Sequence, residues 1–343
     1  MRYRAPLLAL LALAVVPVAV SAISSIKAVN LEDGYDDINR LTGPVVDPAA
    51  APRVEFSVTG AFDRSAKIVR RGANGLFTRG PEYNLDKAVD LAGLLSQALK
   101  TEAAAMGFRT GPGDDAWHVA TTIRTIFLES RQVPYGATLF YGYLVADVQA
   151  RLGGGTPVSS TVRIHDYIGK YNAGMGRRDE AEAALAHLLV EGAQDLISRL
   201  NRELFKAAAH PDIDRLAAVA TGIKVEKGAV HRLGLSGAPA VTTAFIAAVT
   251  REPDENRRSE LIDALADLGD PAAVAPLSSR YGTEDEDCRW YTLKAMDYIG
   301  GDAAMALVRD QGLKDADARV EALAHWCWRA PTTSEQPEVG AGP

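Results

Sequence analysis

An excess of positive charge is the first thing this sequence lacks. Its formal net charge is -7. Residues 210–330 carry 14 Lys/Arg against 20 Asp/Glu, so nearly all of the imbalance lies in the C-terminal part. Nucleic-acid phosphates require clustered Lys and Arg, so a nucleic-acid partner is excluded, and anionic lipid should be repelled as well. Paired metal-ligand motifs are missing too. His118, His165, His187, His210, His231 and His325 are scattered with no His-x-x-x-His and no His-Glu pairing, which argues against a metal site of helical spacing and for structural or surface histidines. Gly234-Leu235-Ser236-Gly237-Ala238 approaches a nucleophile elbow, but its final glycine is missing and no strand precedes it, so an inter-helix turn accounts for it. The inventory of catalytic, metal and cofactor motifs is therefore empty, and no cofactor and no enzymatic activity are expected.

A membrane-spanning run is also lacking. Arg2 and Arg4 precede an apolar stretch, Ala5 to Val20, interrupted by Pro6 and Pro17, and Val20-Ser21-Ala22 has the small-x-small form of a signal-peptidase site. Crossing a bilayer takes about 20 apolar residues, so residues 1–22 are expected to be a cleaved signal peptide. No Cys follows the run, which excludes a lipoprotein anchor and predicts a mature chain free in the periplasm. Cys288 and Cys327 are the only cysteines. Export invites a disulfide, but the repeat register described below places Cys327 eight residues past the counterpart of Cys288's neighbour, about 12 Å along a helix axis. With helices about 8–10 Å apart, the Cα separation should exceed the roughly 7 Å limit, so two free thiols are expected.

What the sequence does contain fits two folded domains: 343 residues, 47% hydrophobic and 24% charged. Residues 23–53 mix Gly43-Pro44, Asp47-Pro48 and Ala51-Pro52 with acidic residues, a pattern that predicts a flexible linker. Val54–Val58 alternates as a strand, and Ala66–Arg79 reads as a second strand with a basic, Gly-rich loop. Helical spacing begins near Asn84, a candidate cap, and stops at Gly107. Three strands follow, 117–128, 137–151 and 157–171, then a long amphipathic helix from Arg178 to Phe205. Residues 54–206 are thus expected to form an α+β domain, an antiparallel sheet with two helices on one face. Arg70, Arg71, Arg177 and Arg178 could form a basic patch for an anionic envelope ligand.

This domain resembles the YajG family of Gram-negative envelope lipoproteins. The resemblance rests on Met106-Gly107-Phe108-x-x-Gly111-Pro112, the strand Val119 to Ile126, the long meander, and a closing helix rich in Ala and Asp/Glu. It implies an envelope location and no known enzymatic activity. The lipidated cysteine of that family is absent here, so its membrane attachment does not carry over.

Self-similarity governs residues 207–330. Leu261-Ile262-Asp263-Ala264-Leu265-Ala266-Asp267-Leu268-Gly269 aligns with Thr292-Leu293-Lys294-Ala295-Met296-Asp297-Tyr298-Ile299-Gly300 at an offset of 31. Arg258, Arg289 and Arg319 recur at nearly the same step, and Gly237-Ala238-Pro239 matches Gly269-Asp270-Pro271. Each unit reads as a helix after the Gly-x-Pro turn, an acidic loop such as Thr283–Asp287, and a second helix whose arginine can pair with acids of its own or the next unit. The pattern resembles short HEAT repeats of the phycobilin-lyase kind, about three and a half of them in an all-α solenoid, which implies a protein partner held on one face. Arg258, Arg289, Arg319, Trp290 and Trp326 are the candidate partner-binding residues. The aromatics serve equally as a hydrophobic end cap. Residues 331–343 are expected to be a disordered tail. The leading expectation is a non-catalytic periplasmic adaptor. A lipid- or glycan-binding envelope protein and a bilin-lyase-like enzyme are the rival classes.

Overall fold

The computed structural model describes residues 24–35, 39–71, 82–132, 138–171, 178–210, 212–213 and 227–328. The expected signal peptide and tail lie outside them. In chain order the sheet domain comprises β1 (Ser24–Ile26), β2 (Arg53–Gly60), β3 (Val69–Arg71), β4 (Tyr83–Leu85), α1 (Leu91–Ala105), β5 (Arg109–Thr110), β6 (Ala116–Gln132), β7 (Thr138–Leu152), β8 (Val158–Tyr171) and α2 (Arg178–Leu200).

The meander β6-β7-β8 pairs antiparallel throughout, with Val119 opposite Ala150 and Leu144 opposite Ile164. The expected all-antiparallel sheet is nevertheless corrected to a mixed one. Along the free edge of β6, β2 pairs parallel to its first half and β3 parallel to its second half. Strand β1 runs parallel to β4, which is itself antiparallel to β3. The reason lies in the connections: β2 reaches β6 through α1, and such a crossover returns the chain in the same direction, whereas a tight turn reverses it.

Helices α1 and α2 share one face of the sheet, where Leu95, Leu99, Leu188 and Ile197 pack on Phe56, Val119, Leu144 and Ile164. Full burial of each such side chain contributes about 1.5–3 kcal/mol. Asp90, whose side chain accepts from the Gly93 amide at 3.0 Å, caps α1. The expected cap, Asn84, lies instead inside β4.

The segment 23–53 is not a linker where it is described. Val45, Val46 and Ala51 are buried, the Val45 and Val46 amides donate to the Met106 carbonyl, and the Asp47 amide donates to Ala208. Its prolines shape a strap across the ends of both helices rather than free chain. Two glycines allow the close approach: a Cβ on Gly107, at φ +103°, would lie 2.7 Å from the Val46 carbonyl oxygen, and one on Gly34 would lie 2.5 Å from the Ala186 carbonyl carbon on α2.

The C-terminal region comprises α3 (Lys227–Gly234), α4 (Pro239–Arg251), α5 (Glu255–Leu268), α6 (Val274–Arg280), α7 (Glu286–Ile299), α8 (Gly301–Asp310) and α9 (Ala318–Trp328). Pro239 opens α4, and Asp254 and Asp285 cap α5 and α7 by accepting from backbone amides of the first turn. Helices α3, α5, α7 and α9 stack side by side as one layer, with α4, α6 and α8 lying across them. This inner layer does not face solvent. Phe127, Leu139, Tyr141 and Tyr143, on the sheet face opposite α1 and α2, belong to the same core as Trp290, Leu293 and Cys327. The sheet is thus covered on both faces at one end, where a single covered face was expected.

Candidate functional site

Helix α2 carries two stripes. One is apolar and faces the sheet. The other places His187, Glu191, Gln194 and Ser198 on successive turns, with Asp195 and Arg202 beside it, and all four of those stripe residues are buried. A polar stripe of this kind normally faces water. Here the inner layer of the repeats and the N-terminal strap close over it.

Gln194, Ser198, Asp195 and Arg202 find partners across the junction. Gln194 donates to the Asn39 carbonyl at 2.9 Å and to Glu102 of α1 at 2.7 Å, while its own carbonyl accepts from Nε2 of His231 on α3 at 2.8 Å. Nδ1 of His231 lies 3.6 Å from Asp267 on α5. Burial disfavours a charged His231, but Asp267 outweighs it and lifts the imidazole to about 9. The Ser198 hydroxyl donates to the Leu235 carbonyl at 3.0 Å, and Arg202 donates to the Asp267 carbonyl. Tyr298 of α7 donates its hydroxyl to Asp195 at 2.7 Å.

At the centre of the junction, Lys294 of α7 is 2% exposed and lies 2.7 Å from Asp263 of α5 and 3.2 Å from Asp166 of β8. His187 approaches Asp166 and Glu191, each at 3.4 Å. Burial opposes its charge, yet Glu191 and Asp166 hold the imidazole well above its ordinary value. Burial raises Asp195 and Asp263 to about 7 and Asp297 to about 6. An ammonium, two imidazoles and several carboxylates thus neutralise one another where α2, β8, α5 and α7 meet.

Arg258 is buried and binds Glu284 at 2.8 Å and Asp285 at 3.3 Å in the following repeat. Arg289 grips Asp315 through Nε at 2.8 Å and Nη2 at 3.0 Å, and Arg319 meets Asp317 and reaches back to Asp287 at 3.1 Å. These arginines form a ladder that ties neighbouring repeats together. Trp290 and Trp326 likewise serve an intramolecular contact: Trp290 packs on Tyr141 and Tyr167, and Trp326 on Phe127 and Tyr143, the latter with centroids 4.9 Å apart. Arg70 lies over the Phe127 ring at 4.3 Å, Arg71 pairs in β3, Arg178 starts α2, and Arg177 lies outside the described residues. No basic patch is assembled from their described parts. Ser236 is buried, its hydroxyl donating to the Leu233 carbonyl at 2.6 Å, as an inter-helix turn requires.

The stripe has one local signal in the sequence, His187 and Glu191 spaced i, i+4, and contrary to the expected absence of His-Glu pairing these two do form a pair. Among the described residues, three groups bring metal-ligand atoms together: Asp166, His187 and Glu191; Glu284, Asp285 and Cys288; and His165, Asp297 and Cys327. Lys294 supplies the cation at the first and Arg258 at the second. Both cysteines are buried, free thiols. Elsewhere, an open depression of about 420 Å³ on the uncovered half of the second sheet face is lined by Glu55, His118, Gln149 and Arg151.

Comparison with known proteins matches residues 242–327 to HEAT repeats. A crystal structure of a Xanthomonas campestris protein of family DUF330 is similar to 46% of this chain and 92% of its own length, at 13% identity and a TM-score of 0.30. A second solved structure, of an uncharacterized protein, covers 45% of this chain and 96% of its own at 13% identity and a TM-score of 0.27. No curated protein matches the chain. Repeats of this kind suggest a protein-interaction scaffold.

Proposed function

We propose that the protein is a non-catalytic adaptor of the periplasm, which presents a short HEAT-like solenoid to a protein partner from a mount formed by its own sheet domain. The observation that carries this reading is the closed junction: the inner helices α5, α7 and α9 are committed to α2 and the sheet, so the surface left for a partner is the outer layer, α4, α6 and α8. That layer exposes Thr243, Ala275 and Ala303 between acidic loops, a surface suited to a basic or neutral polypeptide. The repeat type supports a binding role, and the export pattern of residues 1–22 supports the compartment. The non-catalytic part rests on the polar stripe of α2 being held in ion pairs and hydrogen bonds and shut off from substrate.

The test is crosslinking and recovery of partners from envelope extract with the full chain, comparing wild type with Ala275→Arg and Ala303→Arg. Both positions are exposed, so folding should be retained while recovery falls. Recovery that is unchanged in both variants removes the outer layer from its assigned role. Deleting the repeats would be a poorer test, because it would uncover the charged stripe of α2.

A further inference from the structure

His165 of β8 is fully buried, and neither ring nitrogen has a hydrogen-bond partner. A buried polar group left unpaired costs about 1–3 kcal/mol, so such an imidazole calls for a ligand. Its Nδ1 lies 3.8 Å from Oδ2 of Asp297 on α7. With the Cys327 thiol of α9, the three donor atoms all fall within 4.8 Å of one another. The rings of Tyr298 and Trp290 wall the group, with centroids 5.2 and 6.3 Å from that of His165. Arg163 binds the other Asp297 oxygen and the Cys327 carbonyl, which fixes both residues while leaving Oδ2 and the thiol aimed at His165.

We propose that His165, Asp297 and Cys327 form a binding site for a borderline-soft divalent ion, zinc by preference, that clips the repeats to the sheet. One nitrogen, one oxygen and one sulfur ligand are the donor types zinc accepts, and the sulfur discriminates against magnesium and calcium. Donors on a tetrahedral zinc ion at about 2.0–2.3 Å lie roughly 3.3–3.8 Å apart, so side-chain rotations of about an ångström close the site. Burial, together with the Lys294 and Arg163 charges, holds His165 well below its ordinary range, which leaves its lone pair available to a metal. On binding, a metal–sulfur bond forms, the Cys327 S–H bond breaks, and one proton leaves to solvent with no change in oxidation state. The resulting thiolate and the Asp297 carboxylate supply two negative charges at the ion, the carboxylate sharing its own with Arg163, and a water takes the fourth position. The ligands come from three elements on both sides of the junction, so the ion binds only the docked state and stabilises it by mass action. The inference stands whichever protein partner the repeats hold.

The experiment is titration of the reduced, metal-stripped full chain with cobalt(II). One equivalent should produce thiolate-to-cobalt absorption in the near ultraviolet, release one proton, and be displaced by zinc. Cys327→Ser and His165→Gln should abolish the band, while Cys288→Ser should keep it. Zinc should also raise the melting temperature of the wild-type chain, a readout that does not depend on the variants folding. Absence of the thiolate band in wild type, its survival in Cys327→Ser, or a zinc-independent melting temperature would overturn the proposal.

Discussion

Two sets of ion pairs cross the repeats, and they differ in depth. The ladder of Arg258, Arg289 and Arg319 runs along the loops between repeats, with side chains 10–22% exposed. The junction set, built around Lys294, Asp166, Asp263 and His187, lies where the repeats meet α2 and β8, and Lys294 and Asp166 are 2% and 4% exposed. The ladder joins like to like and repeats with the sequence; the junction joins two different modules once. Water screens part of the ladder, so its pairs are individually modest and tolerant of change. Lys294 and Asp166 have almost no such relief, and each of them depends on its partners being present.

The largest expected effect comes from removing the junction's central cation. Lys294→Met leaves Asp166 buried and the half-buried Asp263 beside it without their ammonium, and losing one member of a buried ionic set costs about 3–5 kcal/mol. Denaturant unfolding should show this as a lower midpoint. A midpoint within error of wild type would mean that water reaches these carboxylates and that the two networks do not differ in kind.

The ladder was legible in the sequence and the junction was not, for a physical reason. The arginines recur with the repeat, and an acid in the adjoining loop is a local, periodic partner. Lys294 instead pairs with Asp166 across 128 positions and Gln194 with Glu102 across 92, separations that leave no trace in spacing. The polar stripe of α2 reads as a solvent face because sequence pattern reports polarity, not what later packs against it. The strap at 23–53 failed the same way: its prolines were visible, while the burial of Val45 and Val46 depends on Met106 and Ala208 far along the chain. The strands of the meander were readable within a few residues because alternation and turns are local. The parallel pairing of β2 with β6 was not.

The pH dependence sharpens the comparison next. His231, faced by Gln194, Asp267, Glu191 and Asp195, moves from 6.5 to about 9 on folding. A raised value means the folded state retains the proton, so this stabilisation is complete below about pH 6.5 and is lost as pH rises through 9. At about 1.4 kcal/mol per unit the effect is on the order of 3 kcal/mol. Asp195 and Asp263, raised to about 7, act in the same sense between about pH 4 and 7. Asp166 is held far below its usual range, with Lys294 outweighing the effect of burial, and works the opposite way only in stronger acid. Unfolding midpoints should therefore decline from pH 6.5 to 9.5, and His231→Gln should flatten that decline. A flat wild-type profile would place His231 in contact with solvent.

Within the ladder, Arg289→Gln removes a two-point grip on Asp315, whose side chain is 4% exposed, and should cost about 1–2 kcal/mol. Thermal melting of the full chain measures it. A loss as large as that of Lys294→Met would erase the distinction between the networks.

The smallest effect is expected where both members of a pair stand in water. Arg309 and Asp310 at the end of α8 are 52% and 57% exposed and bind through Nε and Nη2 at 2.7 and 2.8 Å. The geometry is as close as any in the junction, yet solvent replaces each contact when it breaks, and the ordering of two long side chains offsets the remainder. Arg309→Ala should leave the melting temperature unchanged in low salt and high salt alike. A shift that disappears with added salt would show that distance rather than burial ranks these pairs, and the contrast between ladder and junction would then have to be rebuilt on geometry alone.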